Sequence, residues 1–175
     1  LTTINNKIYT YSKGIDKILN WKQNEAKKDL LKSIGDFQFS FNFIKLANSR
    51  KEGYPYKDII PKERRSTLER FGGIKIYRDS FRVRPYGDPQ NDWLGLGFRA
   101  AKSPAGPGQR IGDWRVNNES IAGIITISRK ANQLLQDKSD RGGLQENDVF
   151  EAFKNIIIGI IHEFEVDRSR ILNPI

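Results

Sequence analysis

An α+β fold is the class this sequence predicts, and three patterns predict it. Phe37, Phe39, Phe41 and Phe43 alternate with Gln38, Ser40 and Asn42, the period-two spacing of a half-buried strand. Ile74 and Ile76 alternate with Lys75 and Tyr77, and Phe81 and Val83 with Arg82 and Arg84, around an Asp79-Ser80 pair of hairpin-turn length. Val149, Phe150, Phe153, Ile156, Ile157, Ile160, Ile161 and Phe164 recur at helical spacing, so a C-terminal helix should cover the small sheet those strands build.

Ahead of these, Ile15, Ile18, Leu19, Ala26, Leu30, Leu31 and Ile34 fall near helical spacing, with Lys17, Lys22, Lys27, Lys28 and Lys32 between them. This predicts one basic amphipathic helix over 14–34. Gly35 is its stop, because a residue without Cβ takes the left-handed conformation that closes a helix. Residues 1–35 are thus expected to form an N-terminal basic helix and linker, and 36–175 the α+β domain. After the phenylalanine strand, 48–56 reads as a surface loop. Pro61 then suits the first position of a short helix anchored by Leu68 and Phe71 and stopped by Gly72-Gly73. The hairpin should set Ile74, Ile76, Phe81 and Val83 on the core and Lys75, Tyr77, Arg82 and Arg84 on the other face. From 85 to 120 the density of Gly, Pro, Asp and Asn predicts little regular structure beyond a short strand over 93–98, with 103–112 as a flexible loop. Residues 121–128 are apolar or small on both faces, as in a strand central to a covered sheet.

The chain carries 30 Lys and Arg against 21 Asp and Glu, a formal net charge of +9 that attracts polyanions such as nucleic acid or nucleotide phosphates. The absence of cysteine excludes disulfides, thiolate nucleophiles and cysteine metal sites, and it fits a reducing, cytoplasmic compartment. No apolar run approaches the roughly 18 residues of a membrane span, and no signal-like segment opens the chain, so no membrane partner is expected. A chain that starts Leu-Thr-Thr and contains no methionine reads as a fragment of a longer product.

No catalytic or metal-binding residues are predicted. His162 is the sole histidine, and its His-Glu-Phe-Glu context does not supply the histidine pair of a zinc protease. Glu163, Glu165 and Asp167 read as a solvated helix face. No serine sits in a nucleophile elbow. The glycine-rich stretch 104–112 lacks Gly-x-x-x-x-Gly-Lys-Ser/Thr and is no P-loop. The string Asp-Trp-Leu-Gly-Leu-Gly over 92–97 has one residue too many for an Asp-x-Gly-x-Gly adenine site. A Glu-x-x-x-Asn magnesium helix with a following Asp and a Gly-x-x-Gly-x-Gly lid are both missing, so the chain is not expected to be an enzyme, or to hold a cofactor, by itself.

Arg78, Arg82, Arg84, Arg99, Lys102, Arg110 and Arg115 concentrate in the hairpin and the connection after it, interleaved with Tyr77, Tyr86, Trp93 and Trp114. That mixture suits phosphate contacts with stacking, and Arg99, Lys102, Arg110 and Arg115 are candidate nucleic-acid or loop contacts. It also suits a face toward another domain, the reading preferred here, or pairing with Asp79, Asp88, Asp92 and Asp113.

Three strings carry a family resemblance: Gly-Gly-Ile-Lys-Ile-Tyr-Arg-Asp-Ser-Phe-Arg-Val-Arg-Pro-Tyr-Gly with the Asp-Trp-Leu-Gly-Leu that follows, the apolar strand ending in Ile-Ser-Arg, and Arg-Gly-Gly-Leu-Gln-Glu-Asn opening a helix. Across 72–164 the chain resembles the segment that follows the nucleotide-binding domain in bacterial GHKL-type ATPases, the superfamily of gyrase, heat-shock chaperone, histidine kinase and MutL. The resemblance implies the left-handed βαβ fold of ribosomal protein S five domain two. It also implies a non-catalytic transducer fragment that couples nucleotide state to domain movement. ATP and Mg are implied for the parent protein, with the parent's own N-terminal nucleotide-binding domain as partner and a homodimeric parent. A basic residue of such a domain senses the terminal phosphate or holds the interdomain contact, and Lys75, Arg78, Arg82 and Arg84 are the candidates. The sequence departs from the family at Gly97, where an acidic residue followed by arginines is usual, and no family role passes to Arg99. Two alternatives of other classes are a free-standing basic nucleic-acid-binding module and an enzyme whose site assembles from hairpin and loop.

Overall fold

The computed structural model describes residues 2–4, 7–9, 13–19, 25–44, 61–88, 90–102, 115–140 and 142–172. In chain order these form β1 (Thr2–Ile4), β2 (Lys7–Tyr9), α1 (Ile15–Leu19), α2 (Glu25–Ile34), β3 (Gln38–Phe43) and α3 (Pro61–Phe71). There follow β4 (Gly73–Arg78), β5 (Phe81–Val83), α4 (Leu96–Ala101), β6 (Ile121–Ile127) and α5 (Asp148–Leu172). β1 and β2 pair as a separate antiparallel ribbon. The main sheet has the order β3-β6-β4-β5 and is mixed: β6 runs antiparallel to β3 and parallel to β4, and β4 is antiparallel to β5. A parallel neighbour requires a long crossover, and the stretch from 84 to 120 supplies it. The architecture is α+β, a four-stranded mixed sheet covered by the C-terminal helix.

Asp-Ser is a modest turn signal, yet both residues adopt the left-handed region that a two-residue hairpin needs, at φ 47° and 73°. Two tethers, from the end of β6 and the turn after it, hold Asp79 there. Its N–H donates to Ile127 O at 3.1 Å, and its carboxylate accepts from Arg129 N at 3.3 Å.

Register sorts the sheet into two faces. Phe39, Ile125, Ile76 and Val83 form one cross-strand row, and Phe41, Gly123 and Ile74 the next. These rows face α5, whose Phe153, Ile157 and Ile161 close the core with Ile74, Ile76, Ile121 and Ile125. Each such side chain, fully buried, contributes about 1.5–3 kcal/mol. Phe37 meets Phe153 edge-on at 5.1 Å, and Phe41 meets Phe164 at 5.2 Å. Gly123 is required in this strand, since a Cβ there would lie 2.9 Å from Phe41 Cβ and 3.0 Å from Ser40 O. Ile34 of α2 is buried in the same core.

The opposite face carries Gln38, Thr126, Tyr77 and Arg82 in one row and Ser40, Ile124 and Lys75 in the next. Gln38, Ser40, Asn42 and Thr126 are exposed there, and Ile124 is 45% exposed. β6 is therefore central, as its composition predicts; among the described residues α5 covers one face, while Ile124 and Thr126 on the other stay exposed.

Other expectations change in detail. The single helix over 14–34 is present as α1 and α2, with 20–24 outside the described residues. The loops at 48–56 and 103–112 also lie outside them. The strand expected over 93–98 is instead a turn at 93–95 followed by the start of α4. Asp92 accepts the N–H of Leu96 at 2.9 Å and of Gly97 at 2.7 Å, which satisfies the free donors of a helix start and overrides the local apolar pattern. Phe71 and Phe81 are not core residues, being 60% and 80% exposed. Phe71 ends its helix beyond the Leu68 anchor, and Phe81 pairs across the hairpin with Arg78, whose buried guanidinium takes the inward space.

Candidate functional site

The β4–β5 hairpin and the connection from 128 to 147 enclose the candidate site. Asn132 pins that connection: its Oδ1 accepts from Ser128 N at 2.8 Å, and its Nδ2 donates to Ile34 O at 2.7 Å and Asp36 O at 3.0 Å. Tyr86 pins the other end, its buried hydroxyl accepting from Leu144 N at 3.0 Å. Burial pushes the Tyr86 phenol above its ordinary pKa, with the Leu144 N–H opposing. Between hairpin and connection runs an open groove of about 720 Å³. Its cations are Arg78, Arg82, Arg84, Arg129 and Lys138, its acids Asp79 and Asp137, and its apolar side chains Phe81 and Val83.

Three of the four phosphate-sensing candidates thus meet at one groove, while Lys75 stands apart from it. They are not equivalent. Arg78 is 6% exposed, with Nη1 2.7 Å from Asp137 Oδ1 and Nη2 donating to Leu135 O. It ties the hairpin to the loop and is not free to reach a phosphate. Its place follows from strand parity, since 78 continues the inward series of 74 and 76. Arg82 pairs with Asp88. Lys75 donates to Phe71 O at 2.7 Å and Gly72 O at 2.6 Å, capping the C-terminus of α3 where a cation suits the helix dipole. Burial, then the nearby Arg82, lower the Lys75 pKa, with Asp88 opposing. Arg84 is exposed and has no ion-pair partner among the described residues.

Arg129 and Lys138 complete the groove and were not singled out by sequence. Arg129 Nε lies 3.9 Å from Asp79 Oδ2, and Lys138 Nζ lies 2.9 Å from Glu146 Oε1. The hydrogen bond between Lys138 and Glu146 raises the pKa of the lysine and lowers that of the glutamate. Arg129 ends the Ile-Ser-Arg string, which was a usable signal; Lys138 sits in a polar turn with none.

The other nucleic-acid candidates do not join this groove. Arg99 and Arg115 converge on Glu165, which is 0% exposed and so is not the solvated residue its helix context suggested. Glu165 Oε1 accepts from Val116 N at 2.8 Å; Oε2 is paired with Arg99 Nη2 and lies 3.8 Å from Arg115 Nη1 and 3.5 Å from His162 Nδ1. The spacing that carries Ile157 and Ile161 inward continues to 165, so the helix stripe itself contained this signal. Burial lowers the Arg99 pKa, and Glu165 opposes that shift. Glu163 pairs with Lys13 at 2.6 Å. Lys102 is exposed and lies 4.2 Å above the Phe98 ring. Arg110, Asp113 and Trp114 lie outside the described residues.

The expected stacking aromatics are also reassigned. Trp93 donates from Nε1 to Ile74 O at 2.9 Å and meets Tyr86 edge-on at 5.0 Å, so both serve the packing beside β4. Among the described residues no three His, Asp or Glu side chains form a candidate metal site, and no helix is long and apolar enough to cross a membrane. No protein-family model, curated protein or solved structure matches this chain.

Proposed function

We propose that this chain is the transducer part of a larger GHKL-type ATP-binding protein, with the left-handed βαβ fold of ribosomal protein S five domain two. In this reading it is non-catalytic and cytoplasmic, and it relays nucleotide state from the parent's nucleotide-binding domain, which holds ATP and Mg. The observation that supports it is the sorting of the hairpin cations. Lys75, Arg78 and Arg82 are each committed to a partner within the domain, whereas Arg84 stands exposed and unpaired among the described residues, one position beyond β5. A phosphate sensor needs a cation on rigid backbone that its own domain has not neutralised. Arg84 takes that role, and the polar sheet face bearing Ser40, Asn42, Thr126 and Tyr77 meets the neighbouring domain.

The test is made in the parent protein. Arg84→Ala should shift stability by no more than about 0.5 kcal/mol, as exposed positions do. It should also remove roughly 1.5–3 kcal/mol of coupling, the worth of a charge-assisted contact. Coupling is read as the change in interdomain distance, by crosslinking or energy transfer, between the free and the ATP-analogue-bound states. A folded Arg84→Ala protein that closes as the wild type does would end this assignment.

A further inference from the structure

Phe81 is the feature the coupling role does not use. Three phenylalanines are largely exposed, and two lie beneath a cation of their own helix or its end: Phe71 under Arg70 at 5.7 Å and Phe98 under Lys102 at 4.2 Å. Phe81, the most exposed of the three at 80%, has neither cation nor ring against it among the described residues. The ring is carried on a hairpin whose turn is anchored by Arg129 N and Ile127 O, so the backbone that presents it is fixed. Arg129 and Lys138 line the same groove.

We infer that this groove binds single-stranded nucleic acid, with Phe81 stacking on an unpaired base and Arg129 and Lys138 contacting the flanking phosphates. A duplex hides its base faces, so a lone exposed ring favours a strand whose bases can splay out. The volume of about 720 Å³ is that of a small-ligand site, room for roughly one or two nucleotides. The Arg129–Asp79 and Lys138–Glu146 pairs are solvent-exposed and weak, so phosphates can exchange for the carboxylates. The net charge of +9 draws a polyanion toward the groove. An acidic peptide satisfies the cations but leaves the face of Phe81 without a flat partner, which is why nucleic acid is preferred. The inference stands on the groove alone and holds whether or not Arg84 senses a nucleotide.

Fluorescence anisotropy on this chain, with a short labelled oligodeoxythymidine, a duplex of equal length and polyglutamate as competitor, tests it. The single strand should bind more tightly than the duplex, with affinity falling as salt rises. Phe81→Leu should weaken single-strand binding roughly five- to a hundredfold with the salt slope kept, and Phe81→Tyr should restore it. Arg129→Ala with Lys138→Ala should flatten the slope by roughly 0.7 for each phosphate no longer neutralised. Both Phe81 variants should leave interdomain coupling in the parent unchanged, which separates this outcome from that of Arg84→Ala. Equal affinity for duplex and single strand, indifference to Phe81→Leu, displacement by polyglutamate as effective as by oligonucleotide, or no binding at low salt would each overturn the inference.

Discussion

Replacing Glu165 with alanine should destabilise this fold by about 3–5 kcal/mol, the usual cost of removing one partner from a buried ion pair. Two losses contribute. The N–H of Val116 loses its acceptor at 2.8 Å, a buried donor left open at roughly 1–3 kcal/mol. Arg99 and Arg115 keep their charges but lose the carboxylate between them. Their side chains retain 20% and 21% exposure, so water compensates in part and the lower end of the range is expected. For a domain of this size each kcal/mol moves the melting temperature by about 2–4 °C, so about 3 kcal/mol corresponds to a fall of roughly 6–12 °C. Glu165→Gln keeps an oxygen for Val116 but turns an NH2 donor toward the Arg99 guanidinium, so the charge-assisted bond is lost at about 1.5–3 kcal/mol. The double variant Glu165→Leu with Arg99→Met should be less destabilised than Glu165→Ala, because no charge is stranded at Arg99. Urea unfolding with linear extrapolation measures all three, and an unchanged m-value confirms that stability alone has moved. A Glu165→Ala protein within about 0.5 kcal/mol of wild type would show that the carboxylate is an ordinary solvated side chain after all.

Arg78→Ala should cost about 1.5–3 kcal/mol or more in a thermal or urea melt, because the guanidinium bonds both Asp137 and Leu135 O in a buried position; a loss as small as that expected for Arg84→Ala would contradict its structural role. The raised phenol pKa of Tyr86 gives stability that is fully present below the unfolded value near pH 10 and is lost as pH rises through the higher folded value. Wild-type stability should accordingly decline above about pH 10 more steeply than that of Tyr86→Phe. That variant should be weaker at neutral pH by about 1–3 kcal/mol, since Leu144 N–H loses its acceptor. Melts across pH on both proteins test the pair of statements, and parallel profiles would show that Tyr86 is not the group responsible.

Strands, hairpin and long helix were legible because each rests on a repeat carried by consecutive residues. The Phe37 to Phe43 alternation gave β3, the two alternations around Asp79-Ser80 gave β4 and β5, and the stripe from Val149 to Phe164 gave α5. Parity also held information that charge obscured. Position 78 follows 74 and 76 inward, and position 165 follows 157 and 161, yet an arginine and a glutamate read as surface residues until their partners are seen. Those partners are distant: Arg78 reaches Leu135 across 57 residues, and Arg99 reaches Glu165 across 66. The helix at α4 was hidden for a related reason, as the Asp92 carboxylate, which accepts the N–H groups of Leu96 and Gly97, outweighed the apolar spacing around it. By itself the sequence determined the strands of the main sheet and the helices α3 and α5, and that the hairpin is rich in cations. Only the tertiary structure decided which of those cations are neutralised and which, with Phe81, are left facing solvent. A side chain's charge is a local property, whereas the group that compensates it is delivered by whichever loop packs against it.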